Sequence, residues 1–281
     1  MRQREKTIQE LDLEDDFLFA KVMSDPEVCR GVLEQILGIP IERVVSPEAQ
    51  RTIDLLYEGK GIRLDVYVSD GEGTVYNVEM QRGRRRDLPK RARYYQGNVD
   101  LDLISAGESY SALKRTYVIF ICTFDPFQDG RHLYTFENIC KQNPSLPLGD
   151  ETAKLFLNTR GTAEDVGPDL REFLEYVENT TDTFAQEAAN PLIAKIHERV
   201  RKVKQSKEME VEYMTLMQRD RENIEIGREK GRAEGKAEGL VCATQIYHLH
   251  VDGLGADEIA ARLDLDVHDV EKTIQGFMGK A

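Results

Sequence analysis

Residues 62–81 read IRLDVYVSDGEGTVYNVEMQ, and their pattern predicts the structure at the centre of the fold. They contain two runs of alternating apolar and polar residues, 62–68 and 74–81, separated by glycine and aspartate. Alternation with a period of two predicts strands with one buried face, and the residues between them are typical of a tight turn. If both apolar faces coincide, Val66 pairs with Val78 and a three-residue loop, Gly71–Gly73, joins the strands. The stretch therefore predicts an antiparallel β-hairpin.

The same register sets two acidic residues, Asp65 and Glu79, opposite one another. Like charges at opposed positions destabilise a sheet, since their Cβ atoms are only about 4.5–5.5 Å apart. Either a shared proton or a cation would relieve this repulsion, and two carboxylates with waters commonly hold Mg²⁺ beside a phosphate. Such a metal activates water for attack on phosphorus, and Gln81, on the same face, is placed to orient that water. The alternative is a pair of solvated acids on an exposed strand face.

Four stretches of the chain, in order, resemble the PD-(D/E)XK nuclease family transposases, also called recombination-promoting nucleases. They are DFLFAKV at 16–22, RLDV at 63–66, NVEMQ at 77–81 and RARYY at 91–95. Asp65, Glu79 and Gln81 are similar to the D…(D/E)xK signature of these nucleases, with Gln in the place of Lys, which is the usual form in this family. The resemblance covers about residues 12–160.

The resemblance implies DNA cleavage that depends on Mg²⁺ (or Mn²⁺), carried out by a restriction-endonuclease-like α/β core. Asp65 and Glu79 would be the metal ligands, and Asp65, Glu79 and Gln81 the catalytic residues. Replacing Lys by Gln removes a cation that could stabilise the attacking hydroxide, so we expect slower chemistry. A further carboxylate from the first helical stretch could complete the site, or these acids could be solvated; the candidates are Asp15, Asp16 and Glu34.

The chain is acidic on average, with a net charge of −13, which disfavours a partner held by bulk positive charge. Residues 82–95, RGRRRDLPKRARYY, nevertheless carry +6, so the rest of the chain carries −19. This basic run begins directly after Gln81 and is expected at the mouth of the site, where Arg and Lys would position DNA phosphates. A solvated face or an acidic protein partner is the alternative. The candidate DNA-binding residues are Arg84, Arg85, Arg86, Lys90, Arg91 and Tyr95.

Arg91 and Tyr95 are four residues apart in a helical pattern over 88–106, so they share a helix face. That face could present a guanidinium to a phosphate and a ring to an unstacked base.

The remaining patterns predict a mixed α/β core followed by a helical C-terminal region. Apolar spacing predicts a helix over 16–37 that ends at Gly38, and alternating runs predict strands at 52–57 and near 116–124, 132–139 and 153–158. We expect a nuclease-like domain at 1–160, a helical extension at 161–226, a charged segment at 227–239 and a small acidic three-helix tail at 240–281.

Glycine recurs at every fourth position of the charged segment, at Gly227, Gly231, Gly235 and Gly239. Each glycine costs a helix about 1 kcal/mol relative to alanine, so the segment is either a close-packed helical clasp or a flexible connector. The tail has the rhythm of a helix-turn-helix, but residues 251–281 have a net charge of −4, which disfavours DNA. We expect protein contact instead, through a homodimer of the helical C-terminal region or through docking on the basic run, which would restrain the nuclease.

A cytoplasmic location is expected, because the first residues are polar and the four cysteines are scattered. The longest apolar run, 118–122, is far below the roughly 18 residues of a membrane span, so no membrane partner is expected. The leading hypothesis is a Mg²⁺-dependent DNA endonuclease that hydrolyses phosphodiester bonds, with a role in recombination, mobile elements or defence. The alternative is a catalytically silent DNA-binding or self-associating regulatory protein that retains the nuclease fold.

Overall fold

The computed structural model describes residues 6–53 and 62–278, which divide into two compact units between Tyr213 and Met214. The strands are β1 (Val44–Ile53), β2 (Ile62–Asp70), β3 (Val75–Gln81), β4 (Thr116–Cys122), β5 (Leu133–Phe136), β6 (Ile139–Cys140), β7 (Asn143–Pro147) and β8 (Thr152–Asn158). The helices are α1 (Asp16–Met23), α2 (Pro26–Leu37), α3 (Leu88–Leu103), α4 (Pro168–Glu178), α5 (Asp182–Glu187), α6 (Pro191–Gln205), α7 (Lys207–Val251), α8 (Ala256–Leu263) and α9 (Val267–Met278).

Six strands form one central sheet in the order β1-β2-β3-β4-β8-β5, and β6 pairs with β7 in a separate two-stranded sheet. β3, β4 and β8 are parallel, whereas the β1–β2, β2–β3 and β5–β8 pairs are antiparallel. This mixed α/β sheet with a helical C-terminal region confirms the predicted fold class.

The β2–β3 hairpin has the register that the sequence predicts. Val66 pairs with Val78, and the loop is Gly71–Gly73, with Gly73 at a positive φ of 89° that suits a residue without Cβ. The paired residues run only from Ser69–Val75 to Val66–Val78, so the backbone ladder ends one residue before Asp65 and Glu79. The candidate acids thus lie where the two strands stop pairing.

Helix α3 packs on the sheet face that carries Glu79. Phe120, which pairs with Glu79 across the β3–β4 ladder, stacks on Tyr95 with ring centroids 6.1 Å apart and on Phe156 with centroids 5.5 Å apart. Aromatic contacts of this kind bury large apolar areas and fix the position of the helix. The buried members of this layer are Leu64, Tyr67, Val75, Leu88, Ala92, Tyr95, Val99, Val118, Phe120, Cys122, Phe124, Tyr134 and Phe156.

The helix predicted over 16–37 is two helices, α1 and α2, because residues 24–26 break it. Asp25 accepts hydrogen bonds from the amides of Glu27 and Val28, and Pro26 occupies the first helical position. Both features are typical of a helix start rather than of a helix interior. The predicted end at Gly38 is confirmed, since this glycine adopts a left-handed φ of 66°.

The first strand differs from its prediction. β1 begins at Val44, and of the run predicted at 52–57 only 52–53 belong to it, while 54–57 lie outside the described residues. Pro47 and a register shift between Val45 and Glu48 interrupt the alternation that would have revealed this strand. β1 is the edge strand of the sheet that the described residues form, and an edge strand tolerates both features.

The second unit has a small apolar core of its own, formed by α8, α9 and the end of α7. Its buried residues are Ile246, Ile259, Ala260, Val270 and Ile274, and the helix that opens this core is the end of α7, which begins at Lys207. The segment with a glycine at every fourth position lies within α7, so it is helical. Among the residues that the structure describes, no atom beyond the helix's own backbone lies within 4 Å of the place where a Cβ would stand on any of these glycines.

Candidate functional site

The two acids of the hairpin are joined by reciprocal bonds between side chain and backbone. The amide of Asp65 donates to Glu79 Oε1 at 3.1 Å, and the amide of Met80 donates to Asp65 Oδ2 at 3.1 Å. These bonds begin where the backbone ladder ends, so the carboxylates hold the strands together there. The structure therefore brings Asp65 and Glu79 together, as the register predicts.

Glu79 is the most enclosed carboxylate of the site, with 0% of its surface exposed. Burial first, and the charge of Asp65 second, raise the pKa of Glu79 well above its ordinary range. The amide of Asp65 and the guanidinium of Arg91 act in the opposite direction. The site thus holds two acids where water has little access to Glu79. A positive charge close to Glu79 therefore strongly stabilises its ionised form.

Arg91 of α3 supplies a positive charge to this space. Its Nη2 lies 3.1 Å from Glu79 Oε2, its Nη1 donates to Gln81 Oε1 at 2.8 Å, and its Nε donates to Tyr95 Oη at 2.7 Å. The guanidinium also lies 4.9 Å from the Tyr95 ring centroid and 5.5 Å from that of Phe120. One side chain therefore connects the helix to both candidate site residues of β3, Glu79 and Gln81, a link that sequence reasoning missed.

Gln81 is held at both ends of its amide. Its Oε1 accepts from Arg91, and its Nε2 donates to the carbonyl of Gly83 at 2.8 Å. The amide of Thr123 donates to the Gln81 carbonyl at 3.1 Å, which fixes the end of β3 to the end of β4. With one bond at each end, the Gln81 amide keeps a second N–H and a second oxygen lone pair with which it can orient a water.

Tyr95 does not lie where the sequence-based hypothesis placed it. Its side chain faces the sheet, is 7% exposed, and stacks on Phe120. Burial is the main reason that the pKa of Tyr95 is raised to about 12. The ring has no open face for an unstacked base, because the apolar side of α3 (Leu88, Ala92, Val99) turns it inward.

The basic run divides into two groups. Arg84, Arg85, Arg86 and Lys90 are exposed, in the connection from β3 to α3 and in the first turn of that helix. Arg82 is paired instead with Asp15 and, at 3.1 Å, with Glu14. The exposed group is the part of the run whose charge faces solvent beside the site.

The three candidates for a further carboxylate lie in different settings. Asp15 is engaged by Arg82, Lys6 and the amide of Asp12. Asp16 is exposed in the first turn of α1.

Glu34 accepts a hydrogen bond from the amide of Ile41 at 2.9 Å, just beyond the end of α2. It borders a cavity with Tyr76, whose position in β3 alternates with that of Glu79 and so belongs to the other face of the sheet. Glu34 is therefore separated from the acid pair by the sheet.

The oxygen donors at the end of β3 fit a hydrated divalent cation. Within residues 6–53 and 62–278, no group of three or more His, Cys, Asp and Glu side chains is arranged to hold a metal. Asp65 and Glu79 supply two carboxylates, a donor type that Mg²⁺ and Mn²⁺ accept together with several waters. Asn77, fully buried two residues before Glu79 on the same face, interacts through its side chain with the Glu79 carboxyl and acts to lower the pKa of that acid.

The fold and the acid pair define a protein of the nuclease-like α/β class. The family described as PD-(D/E)XK nuclease family transposase matches residues 13–226, and the chain belongs to it. The match extends beyond the sheet to the helices that follow it. Comparison with curated proteins and with solved structures gave no match. None of the described helices is long and apolar enough to cross a membrane.

Proposed function

We propose that this protein is a Mg²⁺-dependent (or Mn²⁺-dependent) DNA endonuclease that hydrolyses phosphodiester bonds. The observation that carries the proposal is the pairing of Asp65 with buried Glu79 where β2 and β3 separate. The family match and the exposed basic group at 84–90 beside this pair support DNA as the substrate. A role in recombination, mobile elements or defence follows from the family alone.

Each group has a role in this proposal. Asp65 and Glu79 hold the metal, which when bound supplies Lewis-acid chemistry to the phosphate and the attacking water. Gln81 orients that water but carries no charge, so phosphodiester hydrolysis is slower than in a nuclease with Lys at this position. Arg84, Arg85, Arg86 and Lys90 position the DNA backbone, and in the metal-free protein Arg91 bridges Glu79 and Gln81.

We further propose the division into residues 1–160, 161–226, 227–239 and 240–281, with homodimerisation through the helical C-terminal region. Residues 218–241 of α7 are exposed throughout, including Ile224 and Leu240, so a second copy has apolar side chains and a glycine stripe to contact. We assign the protein to the cytoplasm, since its four cysteines carry free thiols.

Plasmid nicking with Mg²⁺ tests the proposal. The wild-type protein should nick supercoiled DNA, and Asp65→Asn should not. Glu72→Gln, in the exposed hairpin loop at the other end of β2 and β3, is the matched control and should nick as the wild type does. Equal nicking by the wild type and Asp65→Asn would refute the assignment.

A catalytically silent DNA-binding protein is the second candidate. Glu79 already has a counter-charge in Arg91, and both ends of the Gln81 amide are bonded, as in a site that has no need of a metal. This candidate predicts salt-sensitive DNA binding, no nicking by the wild type and no thermal stabilisation by Mn²⁺.

A further inference from the structure

We propose that Arg91 is a built-in counter-ion of the acid pair, which competes with the divalent metal for Glu79 and is released when the metal binds. This inference rests on the proposed function and adds a regulatory step to the same site.

The first argument is that each carboxylate oxygen of Glu79 already has a partner. Its Oε1 accepts the amide of Asp65 at 3.1 Å, and its Oε2 is paired with Arg91 at 3.1 Å. The bond to Asp65 comes from the backbone of a central strand, whereas the bond to Arg91 comes from a side chain that is 26% exposed. A metal that binds Glu79 would lie close to a guanidinium of like charge, and Arg91 is the partner that is free to turn away.

The second argument is that Arg91 keeps an anchor when it leaves. Its Nε bonds Tyr95 Oη at 2.7 Å within α3, and its guanidinium lies near the rings of Tyr95 and of Phe120 on β4, so the bonds that it gives up are those to Glu79 and Gln81. Rotation about these contacts removes Nη2 from Glu79 without moving α3. The released group then joins the exposed cations at 84–90, where a DNA phosphate is its natural partner.

Two consequences follow from this exchange. Metal binding at Glu79 frees Arg91 for a phosphate, and a phosphate that captures Arg91 frees Glu79 for the metal, because coupling between two sites is reciprocal. Without either ligand, Arg91 offsets part of the negative charge of the acid pair. It is a positioning residue whose release links metal binding to DNA binding.

The test measures Mn²⁺ binding to the full-length protein without DNA, by calorimetry and by the electron paramagnetic resonance signal of free Mn²⁺. Arg91→Met should bind Mn²⁺ at least tenfold more tightly than the wild type, equivalent to about 1.4 kcal/mol. Arg91→Lys, which keeps the charge, should stay within about threefold of the wild type. Arg93→Met removes the same charge from an exposed position of α3 and should also stay close to the wild type.

The sign of the effect separates competition from damage, because a disturbed site would bind metal less tightly. Equal or weaker Mn²⁺ binding by Arg91→Met, with a cooperative melting curve, overturns the inference. An equal gain in Arg93→Met overturns it too, because general electrostatics would then explain the result. If Arg91→Met does not fold, Arg91→Gln replaces it under the same criteria.

Asp65→Asn distinguishes failure of this inference from failure of the proposed function. If Asp65→Asn loses Mn²⁺ binding and Arg91→Met binds Mn²⁺ no more tightly than the wild type, the competition is rejected and the metal site is retained. Mn²⁺ binding by Asp65→Asn at wild-type strength rejects the metal site, and the inference with it.

Discussion

Replacing Glu79 by Gln should change how the stability of the metal-free protein depends on pH. Glu79 is fully buried beside Asp65, and these two features raise the pKa of its carboxyl above the ordinary value of 4.5. Below pH 4.5 the carboxyl is protonated in both the folded and the unfolded chain, so it contributes no pH dependence. Above pH 4.5 the unfolded chain releases this proton while the folded chain retains it, and the free energy of unfolding falls until pH reaches the folded pKa.

The slope of this loss is up to about 1.4 kcal/mol per pH unit. Gln cannot titrate, so the free energy of unfolding of Glu79→Gln relative to the wild type should rise by up to this amount per unit across the window. The pH slope is the informative quantity, because an amide facing Arg91 adds a constant penalty that does not depend on pH. Asp65→Asn should narrow the pH window of this loss without abolishing it, since burial is the larger cause of the raised pKa of Glu79.

Urea unfolding followed by circular dichroism, in EDTA at pH 5, 6 and 7, measures the effect. Glu72→Gln is the control, because it makes the same substitution in the exposed hairpin loop and should run parallel to the wild type. If the free energy of unfolding depended on pH in the same way for the wild type and Glu79→Gln, burial would not hold a proton on Glu79, and the electrostatic reasoning would be wrong.

Three further predictions follow. Replacing all three arginines of Arg84–Arg86 by Ala should weaken DNA binding. In fluorescence anisotropy, the slope of the logarithm of the DNA association constant against log[salt] should become smaller by up to about 3. An unchanged slope would show that the DNA phosphates bind elsewhere. Phe120→Ala should lower the free energy of unfolding in urea by about 3–5 kcal/mol, because the Phe120 ring stacks on Tyr95 and on Phe156. Tyr110→Ala, at a residue that is 85% exposed, should change it by no more than about 0.5 kcal/mol. Similar losses in both variants would contradict the packing. Gly231→Ala should lower the dimer fraction measured by sedimentation, although alanine favours a helix, because the backbone of the second copy packs against Gly231 in the proposed dimer. Gly276→Ala is the control. An unchanged dimer fraction in Gly231→Ala would show that the glycine stripe is not part of the interface.

The hairpin could be predicted from sequence because its information is local. The alternation of Val66 and Val78 with their polar neighbours fixes the faces, and Gly71–Gly73 fixes the loop, so the register has one solution. The meeting of Asp65 with Glu79 follows from that register. The break between α1 and α2 was also encoded locally, in Asp25 and Pro26, and a reading that followed only the apolar period missed it.

The environment of the acid pair could not be predicted in the same way. The contact between Arg91 and Glu79 depends on how α3 lies across the sheet, which is set by the packing of Tyr95 on Phe120 rather than by any spacing along the chain. The basic run was visible as composition, but composition did not separate exposed Arg84–Arg86 from Arg82, which is paired with an acid near the N-terminus of α1. Charge along a sequence therefore overestimates the charge available to DNA.

The exchange of Lys for Gln at position 81 has a different meaning once Arg91 is placed. A lysine on β3 would put its cation beside the nucleophile permanently, whereas the guanidinium of Arg91 reaches the site from α3 and is already bonded to Glu79. On our proposal, that charge becomes available to a phosphate only after a metal has taken Glu79. In such a site the positive charge of Arg91 reaches the phosphate only when metal and DNA are both bound. A protein with Gln81 and Arg91 should therefore lose more activity at low metal concentration than a nuclease with Lys at the position of Gln81. Introducing Lys at position 81 should make nicking less dependent on metal concentration, and an unchanged dependence would show that Arg91 does not carry the exchange.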